Sequence, residues 1–204
     1  MQILSEVFGF CVTKCYILKF GGVEVVIDPG DGASEWVAQN TQNLQAILLT
    51  HAHFDHNFDA AKIRRESGAK IYCPKEDEFM CENDPFGYLK ESFKSDVLVE
   101  AGEVVEVCGQ KFAFHHFAGH TPGCSMIEAQ GGVVFSGDFI FKDSIGRFDF
   151  PYSDREKMKQ SLTRVLEFQS AFGWQGELTL YSGHTPPTTL SAELSNIRHW
   201  LSII

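Results

Sequence analysis

LLTHAHFDHN, from Leu48 to Asn57, changes character at its midpoint. The segment AILLT up to Thr50 is the end of an apolar run that reads as a buried strand. It empties into His51, His53, Asp55 and His56. The chain has 8 His, and three of them stand within these six positions. Side chains alternate along an extended segment, so His51 and His53 point the same way and can bind one metal through two imidazoles. Asp55 and His56 follow where the chain bends into a helix and can serve a second metal close by. The start of that helix also favours an ionised Asp55. An ordinary strand-helix loop would need to compensate the charge and desolvation of these four groups, which makes a ligand cluster the better reading.

Two further segments share a tetrapeptide: FAGHTPGC from Phe117 to Cys124, and YSGHTPPT from Tyr181 to Thr188. Their flanks do not match, so they are not copies of one repeating unit. What recurs is a local geometry: an apolar run, a Gly that permits close backbone approach, then His with Thr-Pro stiffening the exit. His120 and His184 can therefore complete two metal centres, one each. The bridging oxygen donor that such a pair requires is supplied by FSGDF, where Asp138 follows the apolar strand GVVFS.

Around these motifs the chain alternates strands and helices. ILSEVFGF, CYILKF and EVVID are β-rich, with Gly21-Gly22 marking a hairpin. Helices are expected over EWVAQNTQ and over NFDAAKIRRESG, the latter closing at Gly68. The charged, aromatic stretch Lys75–Asp96 breaks the pattern and reads as a surface excursion covering the active site. Strands resume at VLVE, VVEV, KFAFHHF, SMIEA and GVVFSGD. A capping box, Ser153 with Glu156, opens a helix with Met158, Leu162, Val165, Leu166 and Phe172 on one face. After the strand LTLYS, a last helix carries Leu190, Leu194, Ile197 and Leu201. The element order implies a layered α/β domain spanning residues 1–204.

Composition narrows the function. A formal net charge of -10 sets a field that repels a phosphate backbone, so nucleic acid is not an expected partner. The N-terminus MQILSEVFGF carries Glu6 and no basic region ahead of an apolar stretch, and no segment approaches 18 apolar residues. Neither a signal peptide nor a membrane span is expected, and the cytoplasm is the expected site of action. The 6 Cys are scattered and read as reduced; Cys11 and Cys15 lack the second paired cluster of a metal site.

Taken in order, VVIDPG, LLTHAHFDHN, FAGHTPGCS, VVFSGDFIF, SIGRFDFP and YSGHTPPTTLSAEL resemble the metallo-β-lactamase-fold superfamily, and within it the glyoxalase II-like (hydroxyacylglutathione hydrolase-like) branch. The resemblance implies a four-layer αββα sandwich with two divalent metal ions at one edge of its sheets, zinc as the first expectation and iron as the second. It places one ion on His51, His53 and His120 and the other on Asp55, His56 and His184, with Asp138 bridging. Asp28 in VVIDPG is expected to support the ligand loop. Full-length glyoxalase II carries an additional C-terminal helical segment for glutathione, whereas only about twenty residues follow His184 here.

The chemistry implied is thioester hydrolysis, with lactoylglutathione as the type of substrate. Paired cations lower the pKa of a shared water, Asp55 orients it, and a thiolate leaves without a strong general acid. Lys142 and Arg147, just beyond Asp138, are the candidates for holding a small anionic substrate. The competing reading is a persulfide dioxygenase, which shares the fold but uses a single iron on glutathione persulfide; Pro151 directly after RFDF favours the hydrolases. His115, His116 and His199 lie outside every motif.

Overall fold

The structure, a computed structural model, describes residues 1–171 and 177–204. Phe172, placed by the sequence on the face of the long helix, lies outside them. Two six-stranded sheets dominate. The first holds β1 (Gln2–Phe8), β2 (Thr13–Lys19), β3 (Glu24–Ile27), β4 (Leu44–Leu48), β5 (Lys70–Pro74) and β6 (Val97–Val99), side by side in chain order. The second contains β7 (Val104–Val107), β8 (Gln110–His116), β9 (Ser125–Ala129), β10 (Val133–Gly137), β13 (Thr179–Ser182) and β14 (Thr188–Thr189) in the order β14-β13-β10-β9-β8-β7. A small ribbon, β11 (Ile140–Phe141) with β12 (Ser144–Ile145), follows β10.

Strand period explains the layering. In β2, Tyr16 and Leu18 face one way and Cys15 and Ile17 the other, and all four are buried, so this strand needs cover on both faces. Tyr16, Leu18, Val25, Ile27 and Leu48 of the first sheet pack against Phe112, Phe114, Ile127 and Phe135 of the second. The outer face of the first sheet is covered by α1 (Ala33–Asn40), α3 (Ala60–Ser67) and α4 (Glu78–Asn83), through Val37, Ala61, Ile63 and Met80. The outer face of the second is covered by α5 (Arg155–Ala171) and α6 (Leu190–Ile203), through Met158, Leu162, Val165, Leu190 and Ile197. The result is the αββα sandwich.

Two local expectations are corrected. The helix read over NFDAAKIRRESG begins only at Ala60, as α3, and a separate short helix, α2 (Phe54–Asn57), precedes it. Asp59 stands at the break, where its carboxylate accepts from the backbone N–H groups of Gly32 (3.1 Å) and Ser34 (2.8 Å) and so ties the ligand segment to the start of α1. The cap of α5 is Asp154, which accepts from the Lys157 N–H at 3.0 Å; the Ser153 hydroxyl is turned away onto the Phe150 carbonyl. Gly68 does close α3 in a left-handed conformation, donating to the Arg64 carbonyl at 2.8 Å.

The sheets are joined at the edge where the histidine loops emerge. The Tyr16 hydroxyl donates to the Ser182 carbonyl at 2.6 Å, the Lys14 N–H to the Gly183 carbonyl at 2.7 Å, and the Ser125 N–H to the Thr50 carbonyl at 2.9 Å. A fourth tie runs through Asp77, fully buried between β5 and α4. Its carboxylate accepts from the Ala52 N–H (3.1 Å), the Thr121 hydroxyl (2.6 Å) and the Gly123 N–H (2.6 Å), holding both loops at once. Burial pushes this carboxyl up from 3.8 to about 6, against the pull of its three donors. The first Gly-His-Thr-Pro turn sits equally tightly on α5. Gly119 has φ +147, and a Cβ there would stand 2.5 Å from the Met158 Cα.

Gly119→Ala is therefore expected to destabilise the protein by about 2 kcal/mol through overpacking, measured by urea unfolding. Asp77→Ala strands three buried donors and is expected to cost about 3 kcal/mol in the same assay. Because the folded value of Asp77 lies above its unfolded one, its protonated form favours the fold. That contribution is complete below about pH 4 and is lost as pH rises through 6, so wild type loses stability relative to the non-titrating Asp77→Asn over that interval.

Candidate metal centre

Each candidate residue leaves a strand end at the same edge. His51 and His53 follow β4, Asp55 and His56 lie in α2, His120 follows β8 through the first turn, Asp138 follows β10, and His184 follows β13. The structure brings all seven together. One nitrogen each of His51, His53 and His120 lie within 4.8 Å of one another, as do the donor atoms of Asp55, His56 and His184 and those of His51, His56 and Asp138. The Asp138 carboxylate stands between the groups. Its Oδ1 is 3.3 Å from His56 Nε2, and its Oδ2 is 3.4 Å from His120 Nε2 and 3.1 Å from His184 Nε2.

Hydrogen bonds on the outer side of the rings fix which nitrogen faces inward. His120 Nδ1 is 2.7 Å from the Arg147 carbonyl, which can only accept, so that nitrogen carries the proton. His56 Nδ1 donates to Asp28 at 3.0 Å. Asp28 also accepts from the Thr50 N–H (2.8 Å) and hydroxyl (2.6 Å), and the Thr50 oxygen then accepts from His51 Nδ1 at 3.1 Å. Asp28, at φ 52, thus orients two imidazoles with one carboxylate, the supporting part expected of it.

The fit to metal rests on what is left over. His51 Nε2, His53 Nε2, His56 Nε2 and Asp138 Oδ1 are buried and have no hydrogen bond of normal geometry. Four orphaned donor atoms in one site are costly unless something binds them, and a cation accepts all four. Charge follows the same logic. Burial holds His51 and His53 well below the usual histidine range, leaving neutral rings ready to ligate. At His56 burial acts in the same direction, but Asp55, Asp138 and Asp28 outweigh it and lift the ring well above that range, so a cation binding there displaces a proton. Burial would raise Asp138, yet His56, His184 and His120 hold it well below the usual carboxylate range. Only glycine fits at 183: a methyl group there would collide with Asp138 Oδ1 and lie 2.6 Å from His56 Cε1.

The two proposed anchors differ. Arg147 is exposed; its guanidinium is bidentate to Asp149 (2.8 and 2.9 Å) and lies 4.1 Å over the Phe150 ring. Lys142 is exposed, and its backbone N–H donates to Thr185 Oγ1 in the second histidine turn at 3.0 Å. Sequence reasoning missed Thr13, whose hydroxyl donates to Asp55 at 2.6 Å, and Lys14, whose ammonium donates to the Thr185 carbonyl at 2.6 Å. Neither carries a motif; their place opposite α2 and the His184 turn comes from the sandwich.

Comparison with known proteins agrees with this fold. Residues 8–184 match the family model described as the metallo-beta-lactamase superfamily. Hydroxyacylglutathione hydrolase GloC of Haemophilus influenzae is 34% identical over 182 residues, covering 82% of each chain. Among solved structures, BLEG-1 B3 metallo-beta-lactamase superposes with a TM-score of 0.81 at 26% identity, covering 95% of this chain and 97% of that one. TTHA1623 in a di-iron-bound form superposes at 0.78 with 32% identity, covering 93% and 96%. The chain belongs to the metallo-beta-lactamase superfamily.

Proposed function

We propose that the protein is a binuclear metal-dependent hydrolase that cleaves hydroxyacyl thioesters, lactoylglutathione among them, in the cytoplasm. The observation that carries this reading is the set of orphaned imidazole nitrogens grouped on either side of Asp138. Similarity to GloC supports the thioester as substrate. His51, His53 and His120 would hold one divalent ion and Asp55, His56 and His184 the other, with Asp138 shared; zinc fits the nitrogen-rich set, and iron is the second candidate. When bound, such a pair supplies Lewis acidity and brings the pKa of a shared water toward neutrality.

The chain's own residues do the remaining work. Asp55, steadied by the Thr13 hydroxyl, accepts a hydrogen bond from the attacking water and sets its direction. Asp28, Thr50 and the Arg147 carbonyl keep the ligand imidazoles in one tautomer, so the site needs no rearrangement during the reaction. The departing thiolate is a good leaving group and asks for no strong acid. Lys142 and Arg147 supply positive charge for an anionic substrate.

Metal-reconstituted wild type is expected to hold two ions per chain and Asp138→Ala one, with kcat/KM for lactoylglutathione falling by at least about a hundred-fold, beyond the usual cost of an outer-shell change. Asp28→Asn is expected to lose about 10–100-fold by loosening the His56 and His51 rings. One iron per chain together with oxygen uptake on glutathione persulfide would replace the hydrolase by the dioxygenase.

A further inference from the structure

The mouth of the metal centre is bordered by aromatic rings. Phe54 leaves the ligand motif between His53 and Asp55 and packs against Tyr88 with the rings tilted and their centroids 4.4 Å apart. Phe10 lies 5.9 Å from Phe54 and 6.3 Å from Tyr88, and Phe86 lies 6.4 Å from Phe54 and 6.0 Å from Tyr152. The series ends against the ligands themselves. Phe86 is 5.4 Å and Phe150 6.0 Å from His53, and Phe150 is 6.2 Å from His120.

Exposure makes this series unusual within the molecule. Among the described residues, the exposed aromatic side chains are Phe10 (73%), Tyr88 (55%), Tyr152 (49%) and Phe150 (39%), and all four belong to it. Leaving so much apolar ring surface in water is unfavourable unless something covers it. The chain also spends structure on holding the rings there. Asp84 adopts φ 41, and its carboxylate accepts from the N–H groups of Tyr88 (3.2 Å) and Leu89 (2.9 Å), fixing the turn that presents Phe86 and Tyr88. The Arg147 guanidinium, shared with Asp149, lies over the Phe150 face and so adds its flat surface to the same border. A ligand seated on these rings is recognised by its apolar surface, and it reaches the His53 imidazole at the same time.

We infer that Phe10, Phe54, Phe86, Tyr88, Phe150 and Tyr152 form an apolar subsite that selects thioesters bearing an aromatic ring within a few atoms of the scissile carbonyl. The inference deepens the thioesterase reading and rests on it for the reaction, though not for the binding. Continuity with the metal ligands argues for substrate over a second copy of the chain, which would seal the mouth.

The test uses a matched pair, S-lactoylglutathione and S-mandeloylglutathione, which differ only by methyl against phenyl. A second arm sets S-lactoylglutathione against the lactoyl thioester of benzyl mercaptan, which puts the ring on the thiol. Stacking and burial of one ring predict at least about a tenfold preference in kcat/KM for a ring-bearing ester. That preference should collapse toward one in Phe10→Ala/Tyr88→Ala and return in Tyr88→Phe. Either arm showing it supports the subsite, and the arm that does so says which half of the substrate carries the ring. Equilibrium binding of two unreactive thioethers, S-(2-phenylethyl)glutathione and S-ethylglutathione, gives a readout independent of turnover. Equal hydrolysis and equal binding in all pairs overturn the subsite and leave the thioesterase standing. Tighter binding of the phenyl thioether, lost in the double variant, without hydrolysis of any thioester, keeps the subsite and removes the reaction. A wild-type dimer in sedimentation that the double variant dissociates assigns the rings to self-association and overturns the inference.

Discussion

Burying several unpartnered ligand atoms at one point is the constraint on which this structure turns. Three imidazole nitrogens and a carboxylate oxygen sit out of water with no hydrogen bond of normal geometry, close to two more histidines and a second aspartate. Each such atom costs free energy when left unsatisfied, and a group of them is tolerated only if an external partner repays the desolvation. From its own chain the protein offers little more than the poorly aligned approach of His56 Nε2 to Asp138 Oδ1 at 3.3 Å. Instead it directs its hydrogen bonds to the outer sides of the rings, through Asp28, Thr50 and the Arg147 carbonyl, so that the free lone pairs face one another.

The sandwich is what makes that convergence possible. Strands buried on both faces leave the chain few places for polar groups other than strand ends, and the ligands are at such ends in both sheets. Bonds across the gap, from Tyr16, Lys14 and Ser125, lock the two edges together. Asp77 does the same from below by gripping the His51–His53 segment and the His120 turn. Gly119 and Gly183 then explain the repeated tetrapeptide: at one turn the backbone meets α5 and at the other it meets Asp138 and His56, and neither leaves room for a Cβ. The repetition is of a packing problem, solved twice.

What could be read from the sequence was whatever is local or periodic. The alternation around His51 and His53, the apolar runs that become strands, and Gly68 after a helical pattern all carry their physics within a few residues, and the resemblance of the ordered motifs supplied the sandwich. What could not be read depends on distant partners. Ser153 had the pattern of a cap, yet its hydroxyl is taken by Phe150 and Asp154 serves instead. The break at Asp59 is set by the N–H groups of residues 32 and 34. Asp77 opens a charged stretch and looks like a surface residue until the fold places it between two loops. The aromatic border was hinted at by the composition of Lys75–Asp96, but its members come from four separate segments and meet only in three dimensions.

Diffraction from metal-reconstituted crystals, recorded on either side of the absorption edge of the bound metal, tests the central claim most directly. Two anomalous peaks are expected, one bounded by His51, His53 and His120 and the other by Asp55, His56 and His184, with Asp138 touching both. A single peak, or a second one away from His184, would contradict the binuclear account.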